Sequence, residues 1–344
     1  MCADTRHNGE PIIRVRNLVK WYELRAGFFG QLLGKKPIYV RAVDGISFDL
    51  YKGEILVLAG ESGCGKTTTG KTILYLIPPT SGEVLFNSGK FKNINVFEVD
   101  KSTLKELRKK MQIIFQDPYE SLNPKMSVYD IIAEPLRIHK VTESHEEERE
   151  LISKVLEEVQ LIPPEDFMFR YPHELSGGQR QRVSVARAIV LRPEFIVADE
   201  PVSMLDVSIR AGILKLLLNL RKEHNISYLF ITHDLAVAGY IGDRIAIMYL
   251  GKIVEIGNAD DVLHNPMHPY TQLLIESVPK PDPTKRKRKA VLTGEPPSPI
   301  NPPSGCRFHP RCPYMIKGKC DIEEPPQIDV GNGHTVSCWL HAKR

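Results

Sequence analysis

The stretch Gly60-Glu61-Ser62-Gly63-Cys64-Gly65-Lys66-Thr67 fits the pattern G-x-x-x-x-G-K-[ST]. An apolar run, Ile55-Leu56-Val57-Leu58-Ala59, stands before it. A helix expected over 67–77 follows and is stopped by Pro78-Pro79. Strand, glycine loop and helix, in that order, form the setting that a phosphate-binding loop needs. The glycines let successive backbone N–H groups turn inward around a polyphosphate. The helix N-terminus behind them adds positive potential. Lys66 is placed to reach the β- and γ-phosphates, and the Thr67 hydroxyl to hold Mg²⁺. An ordinary glycine turn before a helix shares the composition but not the partners found downstream.

The 344 residues leave room for a large domain and a smaller one. A net charge of +4 is modest for this length. It suits an anionic nucleotide or a lipid surface and gives no reason to invoke nucleic acid. No run of eighteen apolar residues occurs, so no membrane span is expected. The polar start, Met1-Cys2-Ala3-Asp4-Thr5-Arg6, lacks a signal-peptide core, which predicts a cytoplasmic protein.

Two strand-like segments precede the loop, starting near Ile12 and Val40, with a basic, Gly-rich insertion at 27–37 between them. An aromatic at the end of the first is suited to stack on a base. Tyr22 is the first choice and Trp21 the second. Downstream, Met111 to Gln116 reads as a buried strand with the Gln116 amide at its carboxyl end, where ligands of α/β sheets lie. Helical patterns follow over 128–138 and 146–161. Leu175-Ser176-Gly177-Gly178-Gln179 then opens a further helix, with Ser176 as N-cap and Gln179 three residues on, as in a capping box. Phe195 to Ala198 is a strand run ending in Asp199-Glu200. Asp199 is suited to Mg²⁺ or its water, and Glu200 to polarising an attacking water. Ser203-Met204-Leu205-Asp206 precedes a helix. His233-Asp234 ends a strand over 226–232, where the histidine can meet a terminal phosphate. Each of these residues taken singly reads equally well as a cap or a surface side chain.

Gly60–Thr67, Gln116, Leu175–Gln179, Asp199-Glu200, Ser203–Asp206 and His233 stand in one order. In that order the chain resembles the ATP-binding subunit of an ABC transporter. The resemblance implies an α/β ABC ATPase with a RecA-like P-loop core, an antiparallel β-subdomain and a helical subdomain at about 117–190, the whole over 1–258. It implies that ATP is held by Tyr22, Gly60, Ser62, Gly63, Cys64, Gly65, Lys66, Thr67 and Thr68. Mg²⁺ is held by Thr67, Gln116 and Asp199. Glu200 is the catalytic base, His233 the switch histidine and Gln116 the Q-loop residue. Ser176, Gly177, Gly178 and Gln179 act in trans on the nucleotide of a second ATPase subunit, with Asp206 at the dimer seam.

Gln116-Asp117-Pro118-Tyr119-Glu120-Ser121-Leu122-Asn123-Pro124 and the later Asn265-Pro266-Met267-His268-Pro269-Tyr270-Thr271 are similar to segments of dipeptide and oligopeptide importers. Cys64 inside the loop is common in the second, F-type ATPase of such systems, which implies a heterodimer with a D-type sister. The resemblance further implies two integral membrane permease subunits, an extracytoplasmic substrate-binding protein and a peripheral place on the cytoplasmic face of the membrane. Import of nickel or oligosaccharides, or a non-transport ABC ATPase, stands as the alternative.

The region 259–344 differs in texture. Proline becomes frequent, 279–303 reads as extended loop, and Lys285-Arg286-Lys287-Arg288-Lys289 as solvated surface. Cys306, Cys312, Cys320 and Cys338 are separated by five, seven and seventeen residues, a poor match to zinc-ribbon spacing. Four thiolates can hold a [4Fe–4S] cluster. Similar cysteines in peptide-importer ATPases imply one here, with four reduced thiols as the plain alternative.

Overall fold

The structure, a computed structural model, describes residues 9–24, 37–277 and 295–342. The basic insertion, the run 285–289 and Cys2 therefore lie outside the described residues.

In chain order the elements begin with β1 (Pro11–Leu24), β2 (Ile38–Tyr51), β3 (Ile55–Ala59), α1 (Lys66–Ile73), β4 (Ser81–Ser88), β5 (Phe91–Asn95), α2 (Lys101–Lys110) and β6 (Met111–Ile114). The helical stretch α3 (Pro118–Ser121), α4 (Val128–His139), α5 (His145–Glu158), α6 (Glu165–Met168) and α7 (Gly177–Ile189) follows. Then come β7 (Phe195–Asp199), α8 (Val207–His224), β8 (Ser227–Thr232), α9 (Leu235–Ile241), β9 (Arg244–Tyr249) and β10 (Lys252–Asn258). The chain closes with α10 (Ala259–His264), α11 (Pro269–Ser277), β11 (Gln327–Gly331) and β12 (His334–Ser337).

The chain divides into two compact units. One comprises Met1–Asp49, Leu56–Phe97 and Thr232–Arg344; the other comprises Leu50–Ile55 and Glu98–Ile231. In the first unit, β2-β1-β4-β5 form an antiparallel sheet. β3 pairs in parallel with β9 through Leu56↔Arg244 to Ala59↔Ile247, and β9 continues antiparallel into β10, β12 and β11. Every residue of β3 and β9 is buried, as their unbroken apolar runs require of strands covered on both faces. In the second unit β6, β7 and β8 pair in parallel, with Asp199 opposite Ile231. The helices α4, α5 and α7 carry buried Ile131, Leu136, Ile152, Val155, Val183 and Val185 on their inner faces.

Two helices end before the prolines that were expected to stop them. α1 ends at Ile73 because Tyr75 enters the left-handed region (φ 52) and the N–H of Leu76 returns to the Lys71 carbonyl. α5 ends at Glu158 because Gln160 (φ 61) does the same and Leu161 N–H returns to Leu156. Both closures satisfy the last carbonyls locally, so proline marks where the helix cannot go rather than where it stops. The hairpin β11–β12, absent from the sequence reading, turns at Asn332-Gly333, both with positive φ. It adds to β10 through Glu255↔Val336 and Ile256↔Thr335. The tail thus extends the sheet of the first unit instead of hanging from it as loop.

Candidate functional site

In the first unit the loop between β3 and α1 is shaped by contacts that leave no room for side chains. A Cβ on Gly60 would lie 2.2 Å from the Met248 carbonyl oxygen, and one on Gly65 (φ 110) would lie 2.0 Å from that of Ala42. The N–H of Gly251 donates to the Cys64 carbonyl at 2.8 Å. α1 then begins with no side-chain cap and no acidic residue in its first turn. Its leading N–H groups and its dipole therefore favour an anion. Lys66, only 5% exposed, rests its Nζ on the carbonyls of Gly60 (2.8 Å) and Glu61 (3.0 Å). Burial pushes the Cys64 thiol pKa up, so Cys64 sits there as a neutral thiol. Ser62 and Gly63 are exposed, and Thr67 and Thr68 are half-buried. Tyr22 is exposed, with the Lys20 ammonium 4.9 Å from its ring centroid. Trp21 instead donates from Nε1 to Asp44 (3.0 Å) and packs under Arg41. His233 is exposed in the turn that leads to α9, where Asp234 accepts from the N–H groups of Ala236 (2.9 Å) and Val237 (3.3 Å).

In the second unit Asp199, 3% exposed, ends β7, and Glu200 follows with a positive φ of 46. Its N–H donates to the Ile231 carbonyl at 3.0 Å, and its Oε2 accepts from Gln116 Nε2 at 3.2 Å. The structure thus brings Gln116 and Glu200 together although 84 residues separate them. α7 opens with the expected capping box. Gln179 N–H donates to Ser176 Oγ (3.3 Å), and Ser176 N–H donates to Gln179 Oε1 (2.9 Å). A Cβ on Gly178 would lie 2.6 Å from Ile209 Cγ2 of α8, so glycine lets the two helices meet. Arg180 donates to the Pro172 carbonyl (2.8 Å) and to the Tyr119 hydroxyl, and lies 3.8 Å from the Tyr119 ring centroid. Asp206 is exposed at the N-cap of α8, and its carbonyl accepts from Arg210 N–H.

A family profile described as "ABC transporter" matches residues 43–203, and one described as "Oligopeptide/dipeptide transporter, C-terminal region" matches 254–320. The chain is 46% identical to the oligopeptide transport ATP-binding protein AppF of Bacillus subtilis, over 98% of this chain and all of that one. The chain belongs to the oligopeptide/dipeptide group of ABC-transporter ATPases. The dipeptide transport ATP-binding protein DppF of Haemophilus influenzae is 43% identical, over 96% of this chain and 96% of its own. Among solved structures, the dimeric MJ0796 ABC transporter cassette is 30% identical, with a TM-score of 0.61 over 72% of this chain and 98% of that one. A post-hydrolysis dimer of the same cassette bound to ADP and Pi aligns with the same TM-score. ATP binding and hydrolysis are the activity of this family, and the fold is that of an ABC ATPase.

The four remaining cysteines of the described residues all lie in the C-terminal region. Among the described residues no three His, Cys, Asp or Glu side chains stand together as a metal-holding group. Cys306, Cys312, Cys320 and Cys338 form no disulfide, and each lies within electrostatic reach of at least one of the others. Burial pushes Cys306 up to about 12 and Cys338 up to about 11, and raises Cys312 as well. The cluster that the resemblance implied therefore stands without support from a metal-holding group among the described residues.

The tail is fixed by other means. Arg307 donates to Asp44 and to the Leu250 carbonyl. Glu255, fully buried, accepts from His334 Nε2 (2.7 Å) and from the N–H groups of Met267 (2.7 Å) and His268 (2.9 Å). Burial would raise its carboxyl, but these bonds outweigh burial and hold it below the ordinary value. His268 is buried and is pushed down to about 4 by desolvation, so it stays neutral. The sequence reading also missed what Glu61 does. Its N–H donates to the Tyr270 hydroxyl at 3.0 Å, and its carboxylate is held by Arg311 at 3.0 and 3.2 Å. Tyr270 had appeared only within a family segment, and Arg311 carried no spacing signal.

Proposed function

We propose that this chain powers the uptake of dipeptides or oligopeptides. It would work as one of two ATPase subunits on the cytoplasmic face of a membrane, beneath two permease subunits fed by an extracytoplasmic binding protein. No nucleic acid takes part. The observation that carries the proposal is the uncapped, acid-free N-terminus of α1 with Lys66 folded onto the loop before it. Such a terminus binds a polyphosphate through backbone donors. The relatives, ATP-binding proteins of oligopeptide and dipeptide transport, supply the cargo class. Among the described residues no helix is long and apolar enough to cross a membrane. That accords with a subunit that works through separate membrane partners. The sister ATPase is a D-type chain, by the resemblance carried by Cys64. We take residues 1–258 as the ATPase domain and 259–344 as its extension.

Each residue then has a role. Tyr22 stacks on adenine. Gly60, Ser62, Gly63, Cys64, Gly65 and Thr68 line the phosphates, and Lys66 neutralises them. The Thr67 hydroxyl, Gln116 amide and Asp199 carboxylate are hard oxygen donors of the kind Mg²⁺ takes, and bound Mg²⁺ would offset charge on the phosphoryl oxygens. Glu200 orients and polarises the attacking water, and Gln116, bonded to it, holds its carboxylate in place. His233 reads the terminal phosphate. Ser176, Gly177, Gly178 and Gln179 close on the nucleotide of the sister subunit, with Asp206 at the seam. The tail enters as a structural extension, in which Cys306, Cys312, Cys320 and Cys338 would be the ligands of a [4Fe–4S] cluster. In the test, Glu200→Gln keeps MgATP affinity while turnover falls about 10²- to 10⁴-fold. Wild-type turnover by that variant would remove Glu200 from the role.

A further inference from the structure

Glu61 is gripped at three points. Its N–H donates to Tyr270 Oη, its carboxylate takes a two-pronged bond from Arg311, and its carbonyl accepts from Lys66 Nζ. All four residues lie in the first unit. The grip is built, not incidental. Tyr270 is fully buried, and its ring lies 4.6 Å from Tyr249 and 5.4 Å from Phe308, centroid to centroid. The Arg311 side chain is 5% exposed and also reaches the Tyr249 hydroxyl at 3.3 Å. A fork-to-fork bond from a buried guanidinium fixes both position and direction.

We propose that Tyr270 and Arg311, both from the C-terminal extension, are positioning residues of the nucleotide site, acting through Glu61 on the P-loop. The inference rests on the P-loop being the ATP site. Two physical effects follow from the geometry. The first is placement: Lys66 rests on a carbonyl whose own residue is tied to the tail, so the lysine and the loop's N–H groups start from a fixed arrangement. The second is charge. Glu61 puts a carboxylate inside a loop built for phosphates, where a like charge opposes binding. Arg311 both neutralises that carboxylate and holds it aside. The extension therefore does more than lengthen the sheet: it tunes affinity for MgATP.

The experiment measures MgATP affinity by calorimetry, and KM and kcat for ATP, on the full chain and its variants, with thermal unfolding as the check on folding. Arg311→Met is expected to weaken MgATP binding about tenfold and to raise KM likewise, with a smaller effect on kcat. Arg311→Lys, which keeps the charge but not the fork, is expected to lose only about threefold. Tyr270→Phe, which removes the acceptor for Glu61 N–H while keeping the ring, is expected to lose a similar amount. Adding Glu61→Gln to Arg311→Met should recover about threefold, because it removes the uncompensated carboxylate. A merely structural tail would give another pattern: kcat reduced with the folded fraction, KM unchanged, and no recovery on adding Glu61→Gln. That pattern overturns the proposal. If Arg311→Met does not fold, Tyr270→Phe and Arg311→Lys carry the same test. Lys66→Ala serves as the reference. Wild-type MgATP affinity in that variant defeats the P-loop reading itself. Loss of binding there, with Arg311→Met and Tyr270→Phe at wild-type affinity, defeats only the positioning role.

Discussion

Two helix N-termini in this protein are built in opposite ways. α1 begins bare, with no side-chain cap and a lysine as its first residue, while α7 begins closed by the Ser176–Gln179 box. The bare end leaves backbone donors for a ligand to satisfy. The closed end satisfies the N–H groups of Ser176 and Gln179 within the box, so what it presents outward is the exposed Ser176 hydroxyl. A receiving end and a presenting end have different needs, and the glycines show it. Gly65 faces a backbone carbonyl that cannot move, whereas Gly178 faces the tip of an isoleucine side chain.

That difference can be broken directly. Gly65→Ala should be the most damaging change, because it forces a non-glycine residue to φ 110 and a Cβ into the Ala42 carbonyl. MgATP binding is expected to weaken at least about 100-fold in a chain that still folds by circular dichroism. Near-normal affinity would show that the loop can re-form around a side chain. Gly178→Ala should cost less, about 1–3 kcal/mol of stability by denaturant titration, and Ile209→Ala in the same chain should restore part of it. Absence of any such rescue would mean that Ile209 is not what sets the glycine. Ser176→Ala should be mildest, about 1 kcal/mol of stability from the lost cap. A larger drop would show that the box also holds α7 against its neighbours.

Much of the site was legible because its logic is local. The capping box needs only a serine and a glutamine three apart, and the structure forms both bonds. The phosphate loop needs only its glycines between a strand and a helix. Strand ends at Gln116 and Asp199-Glu200 were readable from short apolar runs, although β6 stops two residues earlier than expected. The helix ends at Ile73 and Glu158 were less legible, since Tyr75 and Gln160 are not residues that announce a left-handed turn. The four cysteines are a different case. Their number invited a metal, and no metal-holding group among the described residues supports one.

The sequence by itself determined the family and the glycine loop between β3 and α1. Each of those rests on spacings of a few residues, and backbone geometry over a few residues is nearly fixed by residue type. Only the tertiary structure decided that the tail completes the sheet beside β10 and that Arg311 reaches back 250 residues to Glu61. A hydrogen bond across that separation has no period and no local conformational signature. It exists because folding brings a buried guanidinium and a carboxylate to one place, where neither would be stable without the other.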